Sequence, residues 1–122
     1  MNKRIIVIGR MTAFPDLDAK CIHKKFKVPF INCDSINSDS NGVDELSQRA
    51  NSYLESISNK YSEVTYVDFN NMLCDENGCS PFLNENLVYF DSTHLSVSGS
   101  RLLGVEILKE NSLNSLLFNI SQ

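Results

Sequence analysis

The chain has no apolar run approaching the ~20 residues that a helix needs to cross a bilayer, so no transmembrane segment is expected within it. It has no long run of Lys or Arg either, and its net charge is -4. The single basic cluster, Lys20, His23, Lys24, Lys25 and Lys27, carries no interleaved aromatic platform. That reads as a solvated face and argues against a nucleic-acid partner. No internal repeat or low-complexity tract is present, which excludes solenoid and linker classes. The cysteine spacings do not match paired C-x-x-C sites, so no zinc site is expected; no other metal and no cofactor is expected either.

The first residues, Met1-Asn2-Lys3-Arg4-Ile5-Ile6-Val7-Ile8-Gly9, are basic and then apolar. The apolar part is too short for the core of a signal peptide, and no small-residue cleavage site follows. A β-strand is the better reading, and the chain as written is expected to carry no export signal.

With 122 residues, 42% of them apolar and 21% charged, the chain suits one modest folded domain. Four cysteines form two local pairs, Cys21 with Cys33 and Cys74 with Cys79. The second pair brackets Asp75-Glu76-Asn77-Gly78, and Asn-Gly favours a tight reversal. Disulfides are therefore preferred to zinc. They imply an oxidising compartment, in tension with the missing export signal.

The β-branched run Arg4 to Ile8 predicts a strand buried on both faces, as in a parallel sheet. Met11 to Asp18 reads as a loop, Asp18 to Phe26 as a short helix, and Pro29 to Gly42 as a long polar loop. Val43 to Tyr61 is the clearest helix. Its apolar face is Val43, Leu46, Ala50, Tyr53, Leu54, Ile57 and Tyr61. Glu63 to Asp68 predicts a strand, Phe69 to Leu73 a helical turn, and Leu87 to Phe90 another short strand. Ser96 is a good N-cap for a helix over Val97 to Lys109, with Leu102, Leu103, Ile107 and Leu108 inward. Gly99 and Gly104 weaken that helix and permit close packing. A last amphipathic segment is expected from Leu113 to Ile120. Strands alternating with helices indicate an α/β layer fold with a parallel sheet. Only two convincing long strands are visible, which predicts part of such a domain.

The run Tyr89-Phe90-Asp91-Ser92-Thr93-His94-Leu95-Ser96 places a carboxylate and an imidazole on one loop. A carboxylate that accepts a hydrogen bond from one ring nitrogen leaves the other free to take a proton from a nucleophile. The competing reading is that Asp91 only caps the helix that follows. His23 has no partner at comparable spacing and reads as a surface residue.

These features resemble the second half of an SGNH (GDSL-like) hydrolase domain. The likeness is greatest to the extracytoplasmic SGNH domain fused behind type-3 membrane acyltransferases, which O-acylate bacterial surface polysaccharides. It is carried by Ile5-Ile6-Val7-Ile8-Gly9 with Pro15 and Cys21, by Leu73-Cys74 to Cys79-Ser80-Pro81, by Val88-Tyr89-Phe90-Asp91 with His94-Leu95-Ser96, and by Gly99 with its helix. Together these cover most of the chain. The resemblance implies a partial three-layer α/β/α flavodoxin-like fold with a parallel sheet. It implies His94 as general base and Asp91 as the residue that orients it. It also implies an acylated, often acetylated, carbohydrate as substrate. A membrane acyltransferase is the implied partner, and the complete domain would be periplasmic.

The departure from the family lies in the nucleophile. The family's serine sits in a Gly-Asp-Ser block, and its oxyanion glycine and asparagine lie in two further blocks. None of the three blocks is found here. Cys33-Asp34-Ser35 lacks the glycine turn and preceding strand that would present Ser35. Ser92, Ser96 and Ser98 lie too close to His94 along the chain. Residues 1–122 are therefore expected to be the C-terminal portion of one SGNH-type domain, from a truncated or split gene, and inactive alone. The rival expectations are a non-catalytic fragment that docks to a partner chain through its sheet edge, and a small independent binding protein.

Overall fold

The computed structural model of the protein describes residues 3–25, 27, 28, 30, 33 and 39–110. Strand β1 (Ile5–Ile8) is followed by helices α1 (Ala19–Lys25) and α2 (Glu45–Ser58) and by strand β2 (Val64–Val67). β1 and β2 pair in parallel, with Ile5 opposite Val64 and Ile8 opposite Val67. Parallel neighbours need a long crossover, and α2 supplies its helix. The chain is thus mixed α/β with a short parallel sheet, as its pattern predicted.

β1 is not buried on both faces. Ile5 is 54% exposed and Ile8 58% exposed, and Ile6 is exposed as well. Among the described residues β1 has one hydrogen-bonded neighbour, β2, and its other edge pairs with nothing. A β-branched run of this kind suits a central strand, and here it lies at an edge.

Helix α2 buries its expected face only in part: Ala50, Leu54 and Ile57, with Val43 before its start, are half-buried. Ser47, Asn51 and Ser58 are its buried residues, whereas Leu46, Tyr53 and Tyr61 beyond its end are exposed. The cause is hydrogen bonding to the segment after β1. The Ser47 hydroxyl donates to the Met11 carbonyl at 3.2 Å. The Asn51 carbonyl oxygen takes the Arg10 amide at 2.6 Å, and its amide group donates to the Arg10 carbonyl at 2.9 Å. These bonds bring Ser47 and Asn51 inward beside the half-buried Ala50, Leu54 and Ile57. The helix starts at Glu45 rather than Val43, because Asp44 is its N-cap and accepts the Ser47 amide at 3.0 Å.

A single 3-10 turn, Asn70–Met72, leads into two small hairpins. β3 (Cys74–Asp75) pairs with β4 (Gly78–Cys79). β5 (Phe82–Leu83) pairs with β6 (Asn86–Leu87). The first hairpin is the predicted reversal. Its two-residue loop is Glu76-Asn77, one position earlier than Asn-Gly suggests. Gly78 lies in the strand at φ 133°, where a Cβ would collide with the Ser40 carbonyl oxygen. Disulfides join Cys21 to Cys33 and Cys74 to Cys79, with Cα separations of 6.0 and 4.0 Å.

Leu87 to Phe90 is not a sheet strand. Only Asn86–Leu87 is paired in a hairpin, and beyond it Tyr89 makes an isolated antiparallel bridge to Leu95. Val88 and Tyr89 are wholly buried and join Phe14, Leu17, Ala19, Leu73 and Cys79 in the core. Each large apolar side chain there contributes about 1.5–3 kcal/mol of transfer free energy. Helix α3 (Val97–Lys109) has the predicted bounds and the predicted Ser96 cap, whose hydroxyl accepts the Gly99 amide at 2.9 Å. Leu103 and Ile107 face inward and Leu102 is half-buried, but Leu108 is exposed. A Cβ at Gly99 would strike the Val88 carbonyl oxygen, so the close approach expected there is present. The segment Leu113 to Ile120 lies outside the described residues, as does the His23 side chain. Among the described residues no helix is long and apolar enough to cross a membrane.

Candidate active site

The segment after β1 runs through a net of buried polar groups. The Asn70 side-chain oxygen takes the Thr12 amide at 2.7 Å, and its amide group donates to the Arg10 carbonyl and to Asp68 Oδ1, both at 2.8 Å. Asp44 Oδ2 takes the Ala13 amide at 2.7 Å, while the Thr12 hydroxyl accepts the Asp44 amide at 2.9 Å. Among the described residues every buried side-chain nitrogen or oxygen has a partner. Burial pushes the Asp44 carboxyl up. The hydrogen bonds from Ser47, Ala13 and Thr12 together outweigh it and lower the pKa to about 2.

This net fixes where the chain meets the second segment of the site. The Tyr89 hydroxyl donates to the Thr12 carbonyl at 2.6 Å. Burial pushes that phenol well above its usual range, and the charge of Asp44 adds to the effect. The Phe14 and Tyr89 rings meet edge to face with centroids 5.0 Å apart. The Phe14 amide donates to the Ser92 carbonyl at 2.8 Å. The loop 91–94 is thereby held against the segment that leaves the carboxyl end of β1, the end at which parallel sheets place their ligands.

Asp91 and His94 come together on that loop. His94 Nδ1 lies 3.0 Å from Asp91 Oδ1 and 2.9 Å from Oδ2. Asp91 Oδ1 also accepts the backbone amides of Thr93 and His94, each at 2.8 Å. One carboxylate therefore shapes the turn and holds the ring. The Thr93 amide, the His94 ring and the His94 amide together hold the Asp91 carboxyl well below the usual carboxylate range. With the Nδ1 proton donated to Asp91, Nε2 is left as an acceptor. The His94 side chain is 76% exposed and that of Asp91 45%.

Asp91 is not the cap of the following helix, because Ser96 fills that role. The hydroxyls of Ser96 and Ser98 are engaged elsewhere. The Ser96 hydroxyl accepts the Gly99 amide and lies 3.2 Å from that of Ser98. Among the described residues no serine hydroxyl is hydrogen-bonded to the His94 ring. Ser35 lies outside the described residues.

The pattern of the sequence also passed over the residues that position the loop. Asn70, Asn51 and Thr12 act through contacts 41 to 60 residues apart in the chain. Asp44 alone had a local signal, an acid just before an apolar-periodic helix with Ser47 three residues on.

The family model of the SGNH domain (fused to AT3 domains) matches residues 1–109. The chain belongs to the SGNH domain family. None of the curated proteins and none of the solved structures matches it. The match spans β1 through α3 and so includes the Asp91–His94 loop of this SGNH chain. The family description ties it to proteins that carry an acyltransferase-type AT3 domain.

Proposed function

We propose that Asp91 and His94 are the acid–base pair of an SGNH acyl-ester hydrolase or O-acyltransferase domain that acts on acylated, often acetylated, cell-surface carbohydrate. The observation that carries this reading is the two-oxygen contact of Asp91 on His94 Nδ1 with the other ring face open. A serine brought to Nε2 from outside these residues would attack the acyl carbon. His94 would take the hydroxyl proton and pass it to the departing sugar oxygen, while Asp91 holds the ring and stabilises its charge. The exposed edge of β1 is the natural place for the rest of the sheet to join, so residues 1–122 act as the C-terminal portion of the domain. Oxyanion donors from the serine-bearing portion, not from these residues, would supply a further ~10²–10³ in rate.

A fluorophosphonate probe that marks activated serines tests the pairing. In the domain assembled from this chain and the serine-bearing segment, the wild type should label and His94→Ala should not. Equal labelling of the two would refute the assignment of His94 as base. The second reading, a non-catalytic fragment docking to a partner, is favoured by the same exposed strand edge. It predicts assembly without labelling.

A further inference from the structure

Tyr89 and Leu95 form an antiparallel bridge, and the Phe90 amide donates to the His94 carbonyl at 2.7 Å. Phe90 and His94 are therefore the next pair across the loop, and directly opposite residues project to one side. Tyr89 is wholly buried and Leu95 half-buried on the inner side. Phe90, 66% exposed, and His94 take the outer side. A cleft of about 550 Å³ adjoins Phe90 on the Asp91 side of the loop, walled by Pro15 to Lys20 and by Phe90, Asp91 and Ser92. The hydrogen bond from Phe14 to Ser92 and the Phe14–Tyr89 ring contact fix the two walls relative to each other.

We propose that this cleft is a glycan subsite, with a pyranose ring as its occupant and the exposed face of Phe90 as its stacking platform. The face of an aromatic ring is electron-rich and attracts the polarised C–H groups on one face of a sugar. The hydroxyls at the edge of that sugar meet Asp16 and Lys20, which line the same cleft. An acyl chain in this place has no hydroxyl to offer either of them. Asp18 contributes less, since its Oδ1 already accepts the Cys21 amide at 3.0 Å. Phe90 is thus a substrate-positioning residue that sets a sugar against the Asp91 side of the Asp91–His94 loop. Which reaction the sugar meets there rests on the acyl-ester reading above; the binding does not.

Binding without turnover separates the two. The full 122-residue chain is titrated with an O-acetylated glucan tetrasaccharide, with its deacetylated form and with butyl acetate, and amide shifts are followed by NMR. The tetrasaccharides should shift Asp16, Leu17, Lys20 and Phe90. Phe90→Ala should weaken that binding about tenfold, and Phe90→Tyr should restore it. Phe90 is exposed, so all three proteins should melt alike. If Phe90→Ala fails to fold, the shifts at Asp16, Leu17 and Lys20 in the wild type together with retained affinity in Phe90→Tyr carry the test. No binding of either tetrasaccharide, equal affinity in Phe90→Ala, or shifts with butyl acetate alone would overturn the subsite. Glycan binding that depends on Phe90 stands even if His94→Ala leaves serine labelling intact.

Discussion

Asp91 binds His94 at two places at once: its Oδ1 accepts the His94 backbone amide at 2.8 Å, and both of its oxygens approach the His94 Nδ1 within 3.0 Å. The turn and the ring orientation are therefore one feature. Asp91→Asn keeps an oxygen for the Thr93 and His94 amides but lets the amide group face the ring. Asp91→Ala removes both functions. In the assembled domain, Asp91→Asn should lower turnover by up to about 10⁴-fold while the melting temperature barely moves. Asp91→Ala should lower both. Equal turnover in Asp91→Asn and wild type would remove Asp91 from the chemistry.

Two glycines of α3 should respond in opposite ways. At Gly99 a Cβ meets the Val88 backbone, which has no room to yield, so Gly99→Ala should cost about 1–3 kcal/mol. At Gly104 nothing lies within 4 Å of such a Cβ, so Gly104→Ala should stabilise by about 0.5–1 kcal/mol through helix propensity. Urea unfolding of the two variants checks the pair.

Much of this fold was legible locally. The bounds of α3, its Ser96 cap, the Cys74–Cys79 reversal and the two parallel strands followed from periodicity and capping residues. The loop carrying Asp91 and His94 was legible because both partners lie three residues apart. What escaped was set by distant contacts. Periodicity marked the apolar stripe of α2 as its inner face; Ala50, Leu54 and Ile57 are half-buried, but hydrogen bonds from Ser47 and Asn51 to the segment after β1 rotate Leu46 and Tyr53 out to solvent. The composition of β1 predicted a central strand, and composition does not reveal which neighbours are present. Val88 and Tyr89 read as strand because they are apolar, yet they are buried by core packing with little ladder pairing.

Asp44 links stability to pH. Its carboxyl falls from 3.8 to about 2 in the folded chain, so the folded state binds protons more weakly than the unfolded one. The resulting stabilisation is complete above about pH 4 and is lost as pH falls towards 2. Asp44→Ala should cost about 1–2 kcal/mol near neutral pH, since it removes the α2 cap and the acceptor for the Ala13 amide. Its urea midpoint should fall less steeply than that of the wild type between pH 4 and pH 2. Parallel slopes would show that Asp44 is not the linked group.

The two disulfides close loops of different length, with partners 12 and 5 residues apart. Chain entropy assigns about 3 kcal/mol to Cys21–Cys33 and about 2 kcal/mol to Cys74–Cys79. Paired Cys→Ser variants should therefore rank in that order in urea. The opposite order would show that the hairpin bridge acts through the folded state, where Cys79 is part of the core.

The central claim is that His94 is the base of an acyl-transfer centre. Its most direct test is acetate release from an O-acetylated glycan by the assembled SGNH domain, wild type against His94→Ala. Loss of at least about 10³-fold in turnover, with assembly intact, is the expected result. Unchanged acetate release by His94→Ala would contradict it.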